Sequence, residues 1–271
     1  MKTHTNGTIT TGNHRVVSRD QWLAARRALL AREKELTRLR DQIAHERRAL
    51  PWVRVDKAYV FDAPEGRRTL ADLFDGRRQL IVQHFMLAPG WEQGCPSCSY
   101  MADHSDGMTV HLNARDVTLV AVSRAPMPEI ERFRARMGWR FDWVSSHGND
   151  FNYDFGVSFT PEQVAKGNPH YNYGPWPYSH EEWPGVSVFF KDEANEVFHT
   201  YSTYGRGVEV MMHTYNMLDL TPKGRDERDV PHKMEWVRHH DRYETAAVAK
   251  AAPAGGSVKE LFDSFKHECC H

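Results

Sequence analysis

Cysteine is scarce in this chain: four among 271 residues, two at Cys95 and Cys98 and two adjacent at Cys269 and Cys270. So few thiols exclude the disulfide framework of a small secreted domain. The single Cys-x-x-Cys also lacks the second pair of a four-thiolate zinc site. Charge of one sign is missing too. Lys and Arg number 35 against 36 Asp and Glu, for a net charge of −1. That removes any global electrostatic case for nucleic acid or an anionic membrane surface. Long apolar runs are absent: none approaches the roughly 18 residues needed to cross a bilayer, and mean hydropathy is −0.66. Residues 1–15 are polar, without the apolar segment of a signal peptide. A cytoplasmic location is therefore expected, with no nucleic-acid or membrane partner. No internal repeat is present, and the length suits one large domain with flanking arms.

What is there has a clear order along the chain. Residues 1–17 are expected to carry no regular structure. Ser18-x-x-Gln21 is a capping box, and behind it Trp22, Leu29, Leu36, Ile43 and Leu50 recur every seven residues up to Pro51. This predicts an amphipathic helix over 18–50, strapped across the domain or against a partner, with a homodimer as the candidate partnership. Short β-type segments follow at 52–55 and 58–61. The apolar run Gln79 to Phe85 reads as a buried strand, Tyr100 to Arg115 as a helix, and Val117 to Val122 as a second strand. Pro126 to Met137, with Gly138 behind it, reads as a helix, and Arg140 to Val144 as a third strand. That β-α-β-α-β run implies a parallel sheet with right-handed crossovers. Later, 186–190 and 196–201 form an apolar pair joined as a hairpin, and a helix is expected from Gly207 to Met217. The whole is an α/β, thioredoxin-like order over 51–243: a central mixed sheet flanked by helices. It carries an aromatic-rich insertion at about 147–184 and a flexible tail at 244–271.

The chemistry centres on Gly94-Cys95-Pro96-Ser97-Cys98-Ser99, placed between the buried strand and a helix. Two thiols at that spacing can close a small disulfide, and a helix N-terminus favours the thiolate of the first. The same pair can be half of a metal site, with His84 and His104 as imidazole partners and His111 nearby; thiolate with imidazole suits copper or zinc. The stretch from Trp139 to Phe190 packs Trp139, Phe159, Tyr171, Trp176 and Trp183 among histidines, and its long loop reads as a wall or lid near the cysteines, since a long loop rich in aromatics is not disordered. Arg206, between Gly205 and Gly207, can hold an anion. The tail ends His267-Glu268-Cys269-Cys270-His271, a further set of soft ligands.

The chain resembles a thioredoxin-like bacterial family catalogued as domain of unknown function eight-nine-nine. The resembling stretches are Leu70 to Leu80, His84-Phe85-Met86, Cys95-x-x-Cys98-Ser99 with Asp103, Arg136 to Trp139, Phe151 to Phe155, Phe198 to Gly207 and Leu218 to Arg225. The resemblance covers about 18–243 and implies a thioredoxin-like fold, without an activity. Thioredoxin-type chemistry would make Cys95 the nucleophile and Cys98 the resolving thiol, acting on a thiol or disulfide substrate and needing no cofactor. Gly94, Pro96, Ser99, His84, Asp103, Trp183, Pro184 and Arg206 are the supporting candidates. Two departures are visible: Gly94 stands where thioredoxins carry tryptophan, and Pro184 is offset by about one residue from their active-site proline. A peroxiredoxin site places threonine between a proline and its cysteine; none lies between Pro89 and Cys95. Three readings follow: a thiol–disulfide oxidoreductase, a Cys/His metal protein, and a binding module whose cysteines are incidental.

Overall fold

The computed structural model of the chain describes residues 14–243, with the backbone of 2–5 and 8–11. The tail at 244–271, including Cys269 and Cys270, lies outside the described residues. The chain divides after Pro51 into two units. Among the described residues no helix is long and apolar enough to cross a membrane.

In the first unit, β1 (Lys2–Thr5), β2 (Thr8–Thr11) and β3 (His14–Val16) form an antiparallel meander. This differs from the expectation of no regular structure; the segment is rich in β-branched threonine, which favours extended backbone. Helix α1 (Arg19–Arg48) starts at Ser18 with both arms of the capping box formed. None of its residues is buried: Trp22, Leu29, Leu36 and Ile43 are between 43% and 52% exposed.

The second unit is built on an eight-stranded sheet. Its strands are β4 (Val53–Arg54), β5 (Val60–Ala63), β6 (Gly66–Thr69), β7 (Gln79–His84), then, past helices α2 (Pro96–Ala102) and α3 (Ser105–Asn113), β8 (Val117–Ser123). Helix α4 (Met127–Met137) leads to β9 (Asp142–Ser145). The insertion contributes α5 (Phe151–Asp154), α6 (Pro161–Lys166) and the small pair β10 (His170–Tyr171) and β11 (Gly174–Pro175). The hairpin β12 (Gly185–Lys191) and β13 (Val197–Tyr204) and helix α7 (His213–Leu218) complete it. The strand order is β4-β13-β12-β7-β8-β9-β5-β6. β7, β8 and β9 run parallel, and β12 lies antiparallel to β7 with Gly185 opposite His84. A βαβ unit with an antiparallel hairpin on its outer side is the thioredoxin-like order.

Period-two alternation on β7 divides the core. Leu80, Val82 and His84 face one side with Phe151 and Phe189, while the opposite face carries Phe85, α2 and α4. Helix α4 buries Met127, Ile130, Phe133 and Met137, one face of a 3.6-residue period, and stops at Gly138, whose φ of 67° is the left-handed cap glycine allows. Each fully buried Leu, Val or Phe contributes about 1.5–3 kcal/mol of transfer free energy.

Two helices differ from expectation. The helix expected over 100–115 is broken at Asp103–His104. There Asp103 accepts the Trp139 indole N–H at 2.9 Å, and Asp106 accepts backbone N–H groups of Arg140 and Phe141 at 3.0 and 2.8 Å. Tertiary anchors at both sides of the junction outweigh helical continuity. The helix expected from Gly207 starts as a 3-10 turn, Gly205–Met211, and becomes α-helical only in α7.

Candidate active site

After β7 the chain leaves the sheet, loops through Gly90 and returns: the Cys95 N–H donates to the Met86 carbonyl at 3.0 Å. Cys95 is the N-cap of α2, with Pro96 at the first helical position, where its missing N–H costs nothing. The Ser99 hydroxyl and N–H both donate to the Cys95 carbonyl, at 2.9 and 3.0 Å, and the Gln83 amide donates to the Cys98 carbonyl at 3.2 Å. Both cysteines are free thiols; Cys95 is 8% exposed and Cys98 1%. The Cys98 thiol hydrogen-bonds the Cys95 sulfur and, against burial, brings Cys95 down to about 7, helped by the backbone N–H groups of Cys98 and Ser97 and by the Ser97 hydroxyl. Donors aimed at a sulfur stabilise the thiolate, the nucleophilic form.

Gly94 is explained by packing. A Cβ there would lie 2.4 Å from Phe85 Cε1 and 2.8 Å from Phe133 Cε1. The tryptophan of thioredoxins has no room; aromatic bulk comes instead from Phe85, Phe133, Trp139 and Trp143, packed against one another in edge-to-face and tilted pairs.

Cys95 and Cys98 border a cleft of about 110 Å³. Its aromatic wall comes from the insertion: Tyr171, Trp176 and Trp183, with Pro184 beside them. Trp183 and Tyr171 belong to a satellite core with Val157, Phe159 and Tyr204, and the Tyr171 hydroxyl donates to the Pro184 carbonyl at 2.6 Å. No peptide bond among the described residues is cis, so Pro184 is trans. Met86, Met101, Met212 and Met234 line the remaining sides. Arg206, His232 and Lys233 supply basic groups, and Glu209 the carboxylate, held by Arg206 at 2.9 Å and Arg225 at 3.2 Å.

His84 and His104 are not brought to the cysteines. His84 points to the far face of the sheet, because residue 84 and residue 83 alternate; it is Gln83 that faces α2. There His84 heads a buried chain, His84–Ser187 at 2.8 Å, Ser187–Ser202 at 2.8 Å, Ser202–His199 at 2.7 Å, and burial pushes it down to about 3. His104 ties α2 to α7, through the Tyr100 carbonyl at 3.1 Å and the Thr214 hydroxyl at 3.0 Å. His111 is exposed on α3. Among the described residues no three His, Cys, Asp or Glu side chains converge as metal ligands. The soft ligands of the tail lie outside the described residues. Asp103 is an anchor rather than a cleft residue, holding Trp139 and, at 2.6 Å, His240.

Two further residues bear on the cysteine loop. Gln83 was discoverable from strand alternation. His239 was not, since the 219–243 stretch carries no periodicity. It is 4% exposed, donates from Nε2 to the Gly94 carbonyl at 2.8 Å, and faces Arg136 Nη2 with Nδ1 at 3.3 Å. Arg136 also grips Gln93 and both oxygens of Asp241. Burial keeps His239 below the usual imidazole range, and as a neutral Nε2–H tautomer it satisfies both contacts.

The sequence pattern of a bacterial protein family of unknown function, DUF899, extends over residues 11–243. The chain belongs to that family. No curated protein matches it. Among solved structures, the chain is similar to the peroxidoxin BcpB of Mycobacterium tuberculosis, at 13% identity over 61% of this chain and 97% of that one, TM-score 0.40. It is similar also to a peroxiredoxin Q variant of Xanthomonas campestris, at 11% identity over 58% and 90%, TM-score 0.37. A third is a PrxQ variant of Xylella fastidiosa, at 14% identity over 60% and 89%, TM-score 0.36. The fold assignment rests on the strand order of this chain and not on these likenesses.

Proposed function

We propose that this member of DUF899 is a thiol–disulfide oxidoreductase. The observation that carries the reading is Cys95 itself: an N-cap thiol brought down to about 7 by a neighbouring thiol and backbone N–H groups, at the edge of a cleft. The Cys95 thiolate attacks one sulfur of a substrate disulfide, forming a mixed disulfide and expelling the other sulfur as a thiolate. The Cys98 thiolate then attacks Cys95, expelling the second substrate thiolate and closing Cys95–Cys98. The substrate gains two electrons and the dithiol loses two; an external dithiol restores the reduced protein.

Equilibration in bis(2-hydroxyethyl) disulfide and 2-mercaptoethanol, in a Cys269→Ser/Cys270→Ser background, followed by alkylation and mass measurement, tests this. One two-electron transition is expected, joining Cys95 to Cys98. Cys98→Ser is expected to accumulate the mixed disulfide on Cys95, and Cys95→Ser to form neither species. Absence of a reversible two-thiol oxidation in the protein whose only thiols are Cys95 and Cys98 defeats the reading.

A further inference from the structure

We infer that the disulfide taken by this cleft is a small apolar molecule bearing an anionic group, not a protein disulfide and not a peptide disulfide such as oxidised glutathione. The inference rests on the exchange reading above and adds the substrate class.

Size is the first argument. With Cys95 8% exposed and Cys98 1%, the sulfur of the acceptor has to enter the cleft. An enclosed apolar cavity of about 150 Å³ holds benzene. About 110 Å³, open at the mouth, takes one ring or one short branched alkyl arm.

Wall chemistry is the second. The sides are methionine thioethers and aromatic faces: Met101, Met212, Trp176 and Trp183. Methionine is a soft, adaptable wall for apolar groups. Among these walls only the Trp176 indole N–H is a buried donor without a partner, so most amides of a peptide arm would go unpaired, and each unpaired buried amide costs about 1–3 kcal/mol.

Charge is the third. The basic groups at the cleft are Arg206, Lys233 and His232, against the single carboxylate of Glu209. That carboxylate is already engaged by two guanidiniums, from Arg206 and Arg225. Lys233 is exposed. The balance favours a ligand anion at the entrance and disfavours a cation.

The experiment uses the full chain in a Cys269→Ser/Cys270→Ser background, so that every thiol scored is Cys95 or Cys98. The reduced protein is mixed with 5,5′-dithiobis(2-nitrobenzoate), 4,4′-dithiodipyridine, oxidised glutathione, cystamine or insulin. Each initial rate is divided by the rate of the same disulfide with free 2-mercaptoethanol, which carries no charged group besides its thiolate. The expected normalised order is the aromatic dicarboxylate first, the neutral aromatic disulfide next, and the remaining three at least tenfold below the first. Trp176→Ala is expected to lower both aromatic rates at least threefold. Lys233→Glu, at an exposed position, is expected to lower the ratio of the dicarboxylate rate to the neutral one at least threefold. Normalised rates equal within threefold, or a preference for glutathione, cystamine or insulin, overturn the substrate class; if Cys95–Cys98 still forms by mass, the exchange reading stands. Failure to form that disulfide with every probe overturns both.

Discussion

Cys95 has its thiol pKa lowered by atoms within two or three residues, and the consequence can be measured one side chain at a time. Its thiol is brought to about 7 first by the Cys98 thiol, so alkylation of Cys95 by iodoacetamide should rise with pH around a midpoint near 7. Replacing the donor in Cys98→Ala should move that midpoint up toward the ordinary thiol range, because a lost hydrogen bond to the thiolate disfavours the charged form. Gly94 makes a second prediction. Its missing Cβ leaves space that Phe85 and Phe133 already fill, and overpacking a fixed core costs about 1–3 kcal/mol. Gly94→Ala is expected to lose stability of that order in urea unfolding; an unchanged midpoint would mean that the aromatic cluster yields freely.

At the level of elements, α1 and the α2–α3 break behave oppositely. Helix α1 is capped and patterned by sequence alone, and its apolar stripe remains exposed. Leu29→Gln with Leu36→Gln is therefore expected to leave the helicity of α1 within experimental error in far-ultraviolet circular dichroism, because neither side chain is buried and exposed substitutions cost no more than about 0.5 kcal/mol. The α2 segment depends instead on contacts distant in sequence. His239 donates to the Gly94 carbonyl, and Arg136 holds Gln93. His239→Ala should leave that carbonyl unpaired and loosen the loop. The expected readout is faster hydrogen exchange at the Cys95 amide, which donates to Met86, with exchange in β8 unchanged.

On the scale of the whole molecule, a buried carboxylate is among the ties that fasten the insertion to the sheet. Glu182 is 2% exposed, accepts from Ser158 at 2.9 Å and pairs with Arg124, which follows β8 and also reaches Tyr153. Burial pushes its carboxyl up to about 7, outweighing the opposite pull of Arg124 and Ser158. Between the ordinary value of 4.5 and about 7 the folded chain holds a proton that the unfolded chain has released, so this group's contribution to stability falls as pH rises through that window. Glu182→Gln removes the titration. The stability of the wild type minus that of the variant is expected to decline from pH 4.5 to 7 in chemical denaturation; a flat difference would show Glu182 ionised throughout.

Much of the scaffold was legible in the chain. Strands β7 and β8 follow from short apolar runs, α4 from its period and its terminal glycine, α1 from its capping box, and the β12–β13 hairpin from two apolar segments around a polar turn. Each of these signals is local, a spacing or a cap read within about ten residues. The placement of Cys95 at a strand-to-helix junction was legible for the same reason. The side of the sheet that His84 faces required only the alternation of β7, although its partners Ser187 and Ser202 required β12 and β13 to be in register. What surrounds the two thiols was decided by tertiary structure alone. The break after Ala102, the His239 clamp and the walls of the cleft join residues up to 145 positions apart. Such contacts are set by how elements pack and by which buried polar groups find partners, and no pattern along the chain encodes them. The Cys-x-x-Cys spacing by itself determined that two thiols could meet; packing around them decided that Gly94 must be bare and that Cys95 opens into a methionine and aromatic cleft.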